Sequence, residues 1–154
     1  MPVVLPLPAL RQLVESIAAQ PPLWFPAVHF DPERRFWARL PSDPGVDVWL
    51  LTWLPDQSTE LHDHGGSSAA VAVVHGELSE LRADPKGRVT RHRRLPGRTL
   101  GLAPGVVHDL EHAGDRSAVS IHAYSPPATT LSQVCRPPRL LGTTWSMLAA
   151  AAPQ

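Results

Sequence analysis

The chain has 154 residues, of which 43% are hydrophobic and 18% charged, with 14 basic and 14 acidic side chains. A chain of this length and composition is expected to form one globular domain, spanning 1–154, with a core of its own. Its formal net charge of +0 gives no electrostatic basis for binding nucleic acid or an anionic membrane surface, and we expect neither partner.

The N-terminal segment, 1–22, is predicted to contain one amphipathic helix. Its apolar side chains recur at the three- and four-residue spacing of a helix that buries one face. These positions are Leu10, Leu13, Val14 and Ile17. The pair Pro21-Pro22 that follows is expected to end the helix.

After the helix, the sequence changes to short runs rich in β-branched and aromatic residues. Glycine, proline and aspartate bound these runs, and the charged stretch 84–94 indicates a hairpin with a basic, solvated outer strand. Many short strands separated by turns predict an all-β sandwich or barrel over 35–127. The predicted runs are 35–40, 46–55, 69–83, 98–104, 106–114 and 117–127.

The C-terminal segment, 128–154, is rich in proline and alanine and is predicted to be a tail that folds over the barrel or frays. The single cysteine, Cys135, excludes an intramolecular disulfide and fits a reducing compartment. No apolar run approaches the roughly 20 residues that span a bilayer. The first residues also lack the basic region of a signal peptide. We therefore expect a cytoplasmic protein, acting as a monomer.

Two histidines, His62 and His64, lie one residue apart in "ELHDHGG". On an extended strand, side chains two apart share a face, so both imidazoles can reach one point. A chance feature of the surface is the alternative. A second motif, "PGVVHDL", places His108 just after a Pro-Gly turn. Three such ligands would leave open coordination positions, as in a catalytic metal site.

The last predicted strand, "SAVSIHAYSPP", carries a second row of polar residues. Ser120, His122 and Tyr124 alternate along it and so share one face. Tyr124 is the only tyrosine of the chain, and core packing with a satisfied hydroxyl group is the alternative explanation for it.

Taken together, "HDHGGSSAAVAVVHGEL", "PGVVHDL" and "SAVSIHAYSPP" resemble the cupin superfamily and, within it, the type I cysteine dioxygenases. The resemblance covers roughly 36–127 and implies a cupin double-stranded β-helix with a short N-terminal helix. It also implies an Fe²⁺ ion bound by His62, His64 and His108. The activity it implies is conversion of L-cysteine and O₂ to cysteine sulfinic acid.

The resemblance further implies roles for four other residues. Ser120, His122 and Tyr124 would form a catalytic row behind the substrate, which Tyr124 would also contact. Arg39 in "FWARL" would bind the substrate carboxylate. For Arg39, a surface ion pair is the alternative.

Three departures from the patterns of the cupins and of this family concern the metal, the tyrosine and the substrate. Most cupins carry a glutamate at the position of Ala69. Without this carboxylate the metal would be bound by three neutral imidazoles and would keep its full double positive charge, which favours binding of an anionic thiolate. The cysteine that some family members join to the tyrosine would also fall at Ala69, so this chain cannot form that cross-link. Relatives that act on 3-mercaptopropionate have a glutamine near the arginine position, and "FWARLPSD" has none, so the resemblance implies cysteine as the substrate. Another small-thiol dioxygenase, a cupin of other chemistry and a non-catalytic ligand-binding cupin remain the alternatives.

Overall fold

The computed structural model describes residues 3–127, so the predicted tail, with Cys135, lies outside the described residues. Within 3–127 the chain forms one α-helix and eight β-strands. They are α1 (Leu7–Ala18), β1 (Trp37–Leu40), β2 (Asp47–Trp53), β3 (Ser68–His75), β4 (Glu77–Ala83), β5 (Val89–Arg94), β6 (Thr99–Leu102), β7 (Val107–Ala113) and β8 (Ala118–Ser125).

The strands form two antiparallel sheets, ordered β1-β2-β8-β3-β6 and β5-β4-β7. Two isolated bridges, Ser58 with Glu111 and His62 with His108, add the segment 58–62 alongside β7. The predicted all-β architecture with one N-terminal helix is confirmed. The predicted basic outer strand, β5, pairs only with β4 and forms an edge of the smaller sheet.

The five-stranded sheet is buried on both faces because α1 covers one face and the smaller sheet faces the other. Leu10 and Val14 of α1 are fully buried against the outer face, which includes Ile121 of β8. Successive strand residues point to opposite faces. The polar residues that alternate with these apolar ones on β8 therefore point into the space between the sheets.

The run predicted as 69–83 is divided at Gly76 into two strands that belong to different sheets. Gly76 has φ +71°, and a Cβ atom there would lie 2.3 Å from the carbonyl oxygen of Ser117. Only glycine combines this left-handed conformation with so close a backbone approach. The chain thus crosses between the sheets at this residue. Within 3–127, the helical segments are too short or too polar to cross a bilayer.

Candidate metal centre

His62 and His64 lie in the connection between β2 and β3. Only His62 pairs as a strand residue would: its N–H and C=O groups bond the backbone of His108 in both directions, at 2.9 Å. His64 is placed by a turn, in which the Asp63 carboxylate accepts the N–H of Gly65 at 2.8 Å. The predicted convergence of the two imidazoles is therefore produced by one bridge and one turn rather than by a continuous strand.

His108 is delivered to the same place by the turn that the sequence predicted. Gly105 has φ +80°, and the N–H of Val106 bonds the carbonyl of Ala103 at 3.2 Å. Strand β7 begins directly afterwards at Val107, with His108 as its second residue. The left-handed glycine reverses the chain, and His108 faces His62 across the bridge.

The structure brings together the three histidines predicted as metal ligands. One ring nitrogen from each lies within 4.8 Å of the other two. The ring centroids of His62 and His108 are 4.5 Å apart, and that of His64 lies 4.9 and 5.1 Å from them. All three side chains are almost completely buried.

The unpaired nitrogens of this cluster fit a metal ion. Within the described residues, Nε2 of His108 and Nδ1 of His64 are buried and have no hydrogen-bond partner. His62 Nδ1 bonds the Glu60 carbonyl at 2.8 Å, which leaves its Nε2 for a ligand. A buried nitrogen without a partner costs about 1–3 kcal/mol. A metal coordinated by imidazole, such as zinc, copper, iron or nickel, would remove that cost.

The surroundings also keep these imidazoles in their neutral form. Burial, reinforced by His108, lowers the pKa of His62 to about 3, although the Glu60 carbonyl works in the opposite direction. Burial, with the two neighbouring imidazoles, lowers the pKa of His64 even further. Because a metal binds only the neutral imidazole, the site maintains its ligands in the binding form.

Glu80 of β4 is a site residue that the sequence analysis missed. It is 0% exposed, and its Oε2 atom accepts a hydrogen bond from Nδ1 of His108 at 2.8 Å. Its Oε1 atom accepts hydrogen bonds from Arg82 at 2.9 Å and Arg94 at 2.6 Å. This carboxylate holds the His108 ring in one orientation, with Nε2 facing the other two histidines. The available sequence signal was its position two residues after Leu78, which places both side chains on the same, buried face of the strand.

The charge of Glu80 is maintained by its partners. Burial alone would raise the pKa of its carboxyl group, but His108, Arg82 and Arg94 outweigh this effect and lower the pKa to about 2. A buried carboxylate that is paired on both oxygens remains ionised and keeps a fixed geometry.

Ser120, His122 and Tyr124 form a continuous hydrogen-bonded row, as their alternation suggested. Ser120 Oγ lies 2.7 Å from His122 Nε2, and His122 Nδ1 lies 3.3 Å from the Tyr124 hydroxyl. Trp53 extends the row, because its indole N–H donates to Ser120 Oγ at 2.9 Å. The Tyr124 ring lies 5.1 Å from the His64 ring. The row thus ends against the histidine cluster.

Ala69, where the sequence departs from most cupins, lies directly opposite Tyr124 in the pairing of β3 with β8. Its side chain is completely buried. The place beside the tyrosine ring is therefore occupied by a methyl group, which provides neither a carboxylate nor a thiol.

Arg39 lies on the face of the sheet that carries this row, since it is opposite Trp49, which is opposite His122. Its guanidinium group lies 4.8 Å from the Trp49 ring and 3.2 Å from a carboxylate oxygen of Asp47. Its side chain is 53% exposed. The ion pair that was the alternative for Arg39 is therefore present, and its partner Asp47 lies opposite Tyr124.

Arg35 is a second cation near the histidines. Its guanidinium group donates to the Ser58 carbonyl and lies 5.2 Å from the Trp53 ring. Burial is the main reason why the pKa of His122 lies well below its usual value, and the positive charge of Arg35 adds to this effect. No feature of the sequence distinguishes Arg35 from its exposed neighbour Arg34.

The chain is similar to a protein family and a curated protein in sequence, and to several solved structures in fold. A family model described as cysteine dioxygenase type I matches residues 8–136. Cysteine dioxygenase type 1 of Danio rerio is 26% identical over 133 residues, which cover 77% of this chain and 64% of that protein. The match therefore spans slightly less than two thirds of the length of this relative.

The solved structures similar to the chain are more distant in sequence. A protein from Thermus thermophilus has a TM-score of 0.57 and 18% identity, covering 64% of this chain and 90% of its own. An RmlC-like cupin from Desulfovibrio desulfuricans has a TM-score of 0.55 and 18% identity, and the match covers 66% of this chain and 91% of that protein. These likenesses confirm the predicted cupin double-stranded β-helix. Because the family model matches most of its length, the chain belongs to the cysteine dioxygenase type I family.

Proposed function

We propose that the chain is an Fe²⁺-dependent thiol dioxygenase that converts L-cysteine and O₂ to cysteine sulfinic acid. The observation that carries the proposal is the buried cluster of His62, His64 and His108 beside the row that ends at Tyr124. Membership of the family and the similarity to a protein named cysteine dioxygenase type 1 support the same activity.

In this proposal the three histidines hold the iron, and Ala69 adds no charge to the ligand set. Bound Fe²⁺ would supply a Lewis-acidic centre at which a thiol ionises and dioxygen can react. A neutral ligand set favours an anionic thiolate, whereas a carboxylate ligand would already have neutralised part of the metal charge. Glu80 contributes charge only from behind His108, where it orients the ring.

Arg39 is proposed to bind the substrate carboxylate. Its guanidinium group is on the site face, supported by the Trp49 ring, and pairs with Asp47 through one carboxylate oxygen. A substrate carboxylate could accept two parallel hydrogen bonds from the guanidinium fork, which lysine cannot provide. Arg35, whose guanidinium group donates to the Ser58 carbonyl, is the less favoured candidate because the resemblance to the family assigns the carboxylate contact to Arg39.

Tyr124 is proposed to contact the reacting sulfur and oxygen atoms through its hydroxyl group. Its ring lies against His64, and its hydroxyl is hydrogen-bonded to His122. The apolar side chains on the same inner face limit water near the row. They include Trp49, Leu51 and Val71.

The overall reaction balances without a further reductant. Both atoms of O₂ are added to the thiol sulfur, so that the thiol becomes a sulfinic acid. The sulfur loses four electrons and O₂ gains four. The chain therefore needs only a thiol, dioxygen and the metal.

The test is aerobic incubation of the iron-loaded protein with cysteine, 3-mercaptopropionate or cysteamine, with the sulfinate product read by mass spectrometry. We expect cysteine to give the highest kcat/KM. A preference for 3-mercaptopropionate would make the protein a dioxygenase of another small thiol. Binding of a thiol without formation of any sulfinate would indicate a non-catalytic cupin.

A further inference from the structure

The hydrogen-bonded row at the metal centre begins at a group that can only donate. The indole N–H of Trp53 lies 2.9 Å from Ser120 Oγ, and Trp53 is completely buried. Indole nitrogen carries one hydrogen and accepts none, so this first bond has a fixed direction. The directions of the later bonds in the row follow from this one.

The bond from Trp53 also fixes the direction of the hydrogen bond between Ser120 and His122. In the part of the chain that the structure describes, the hydrogen-bond partners of Ser120 Oγ are Trp53 Nε1 and His122 Nε2. The serine is fully buried, and its single proton is unsatisfied unless it goes to His122. Ser120 therefore accepts from Trp53 and donates to His122 Nε2.

His122 must then carry its proton on the other ring nitrogen. An Nε2 atom that accepts the serine proton has no hydrogen of its own, which leaves the hydrogen of the neutral imidazole on Nδ1. The low pKa of His122, caused mainly by its burial, fits this neutral ring. Nδ1 lies 3.3 Å from the Tyr124 hydroxyl, so Tyr124 is the acceptor of this bond.

We propose that Trp53 is a positioning residue that sets the direction of the whole row and thereby makes the Tyr124 hydroxyl a hydrogen-bond donor to an anionic ligand at the metal centre. Because the tyrosine oxygen accepts from His122, its own proton is directed to another acceptor. The ring lies beside His64, one of the three residues that would hold the metal and, through it, the substrate thiolate. This inference rests on the proposed function and specifies how its tyrosine is oriented.

The test reads the tautomer of His122 directly. The full-length protein, labelled with ¹⁵N-histidine and loaded with Zn²⁺ to avoid paramagnetic broadening, is studied by two-bond ¹H–¹⁵N correlation. The signals of His122 are assigned by their loss in His122→Asn. We expect the Nδ1–H tautomer in the unchanged protein. An Nε2–H tautomer would overturn the proposal.

Trp53→Phe keeps a buried aromatic ring but removes the donor. Ser120 is then free to accept from His122, and we expect a mixture of tautomers or the Nε2–H form. Trp24→Phe is the matched control. The indole N–H of Trp24 donates to the Ala18 carbonyl at 3.3 Å, and this substitution removes that bond on the other side of the sheet. It should leave the His122 signals unchanged. If Trp53→Phe retained the pure Nδ1–H tautomer, Trp53 would not set the direction.

Ser120→Ala provides a second route if Trp53→Phe does not fold. It retains the indole but removes the link to His122, and we expect the same loss of the pure Nδ1–H tautomer. In the iron-loaded protein, Trp53→Phe should lower turnover about two- to tenfold, the value of one hydrogen bond. Since the tautomer is measured without substrate, a protein with the expected tautomer but no sulfinate would refute the proposed function and leave the direction of the row established.

Discussion

At the metal centre, each imidazole is oriented by contacts of its own. His62 is fixed by the Glu60 carbonyl and His108 by the Glu80 carboxylate, each through Nδ1 at 2.8 Å. The ring of His64 is instead enclosed by its neighbours, with its Nδ1 buried and unpaired among the described residues. Three rings oriented in advance lose little entropy when a metal binds.

Replacing one of these rings should therefore remove the metal. For His108→Ala we expect loss of the single iron per chain, because two imidazoles compete poorly with water and buffer. The loss of affinity should exceed the about 10- to 100-fold that removal of an outer contact costs. The measurement is iron content after dialysis against a chelator. His112→Ala, on the same strand, is the control and should retain its iron. Tightly held, stoichiometric iron in His108→Ala would show that the third ligand is another residue.

Tyr124→Phe separates a catalytic hydroxyl from a structural one. A hydrogen bond to a charged group is worth about 1.5–3 kcal/mol, so turnover should fall about tenfold or more. Iron content should not change, and the free energy of unfolding should fall by only about 1 kcal/mol. Oxygen uptake, sulfinate yield and thermal unfolding are measured on the same preparation. Normal, fully coupled turnover would assign Tyr124 to core packing alone.

Arg39→Ala tests the proposed carboxylate contact. The KM for cysteine should rise about ten- to a hundredfold, since a charge-assisted pair is lost. The preference for cysteine over cysteamine, which has no carboxylate, should shrink by the same factor. Arg35→Ala is the comparison. If this preference were unchanged in Arg39→Ala but lost in Arg35→Ala, the substrate contact would belong to Arg35.

At the level of elements, strand β4 supports the metal centre without providing a ligand. It lies between β5 and β7, so that Glu80 can bond Arg94 on one neighbour and His108 on the other. Arg82 adds a hydrogen bond from its guanidinium group to the Gly101 carbonyl at 3.1 Å, in β6. One buried carboxylate thus connects His108 to three parts of the barrel.

Glu80→Gln is expected to weaken metal binding about 10- to 100-fold, because His108 loses its carboxylate partner. Competition with a coloured chelator gives the dissociation constant on the folded protein. Glu77→Gln is the matched control: Glu77 is on the same strand and pairs with a surface arginine, Arg93, so the same charge is lost away from the histidines. Equal affinities for the two variants would show that Glu80 does not position His108.

The sequence predicted the features of the site that depend on local periodicity. The alternation of Ser120, His122 and Tyr124 determined their common face, because strand residues two apart always share one. The contacts of Glu80 could not be predicted, since they depend on the register between β4, β5 and β7. The division at Gly76 was also missed, because both halves of that run have the composition of a strand.

On the scale of the whole molecule, the site forms where the two sheets face each other. His108 belongs to the smaller sheet, His62 bridges to it, and the row ending at Tyr124 comes from the larger sheet. Helix α1 covers the opposite face of the larger sheet, which keeps β8 buried throughout. The metal ligands and the polar row are thus brought together only when the barrel has closed.

The measurement that tests the central claim most directly is the fate of labelled dioxygen. The iron-loaded protein is incubated with L-cysteine under ¹⁸O₂, and the product is examined by mass spectrometry while oxygen uptake is recorded. The proposed dioxygenase chemistry predicts cysteine sulfinic acid with both oxygens labelled and one O₂ consumed for each molecule formed, and no such product from His108→Ala. Cysteine that is left unchanged, is converted only to cystine, or carries oxygen from water would contradict the proposal that this chain is a thiol dioxygenase.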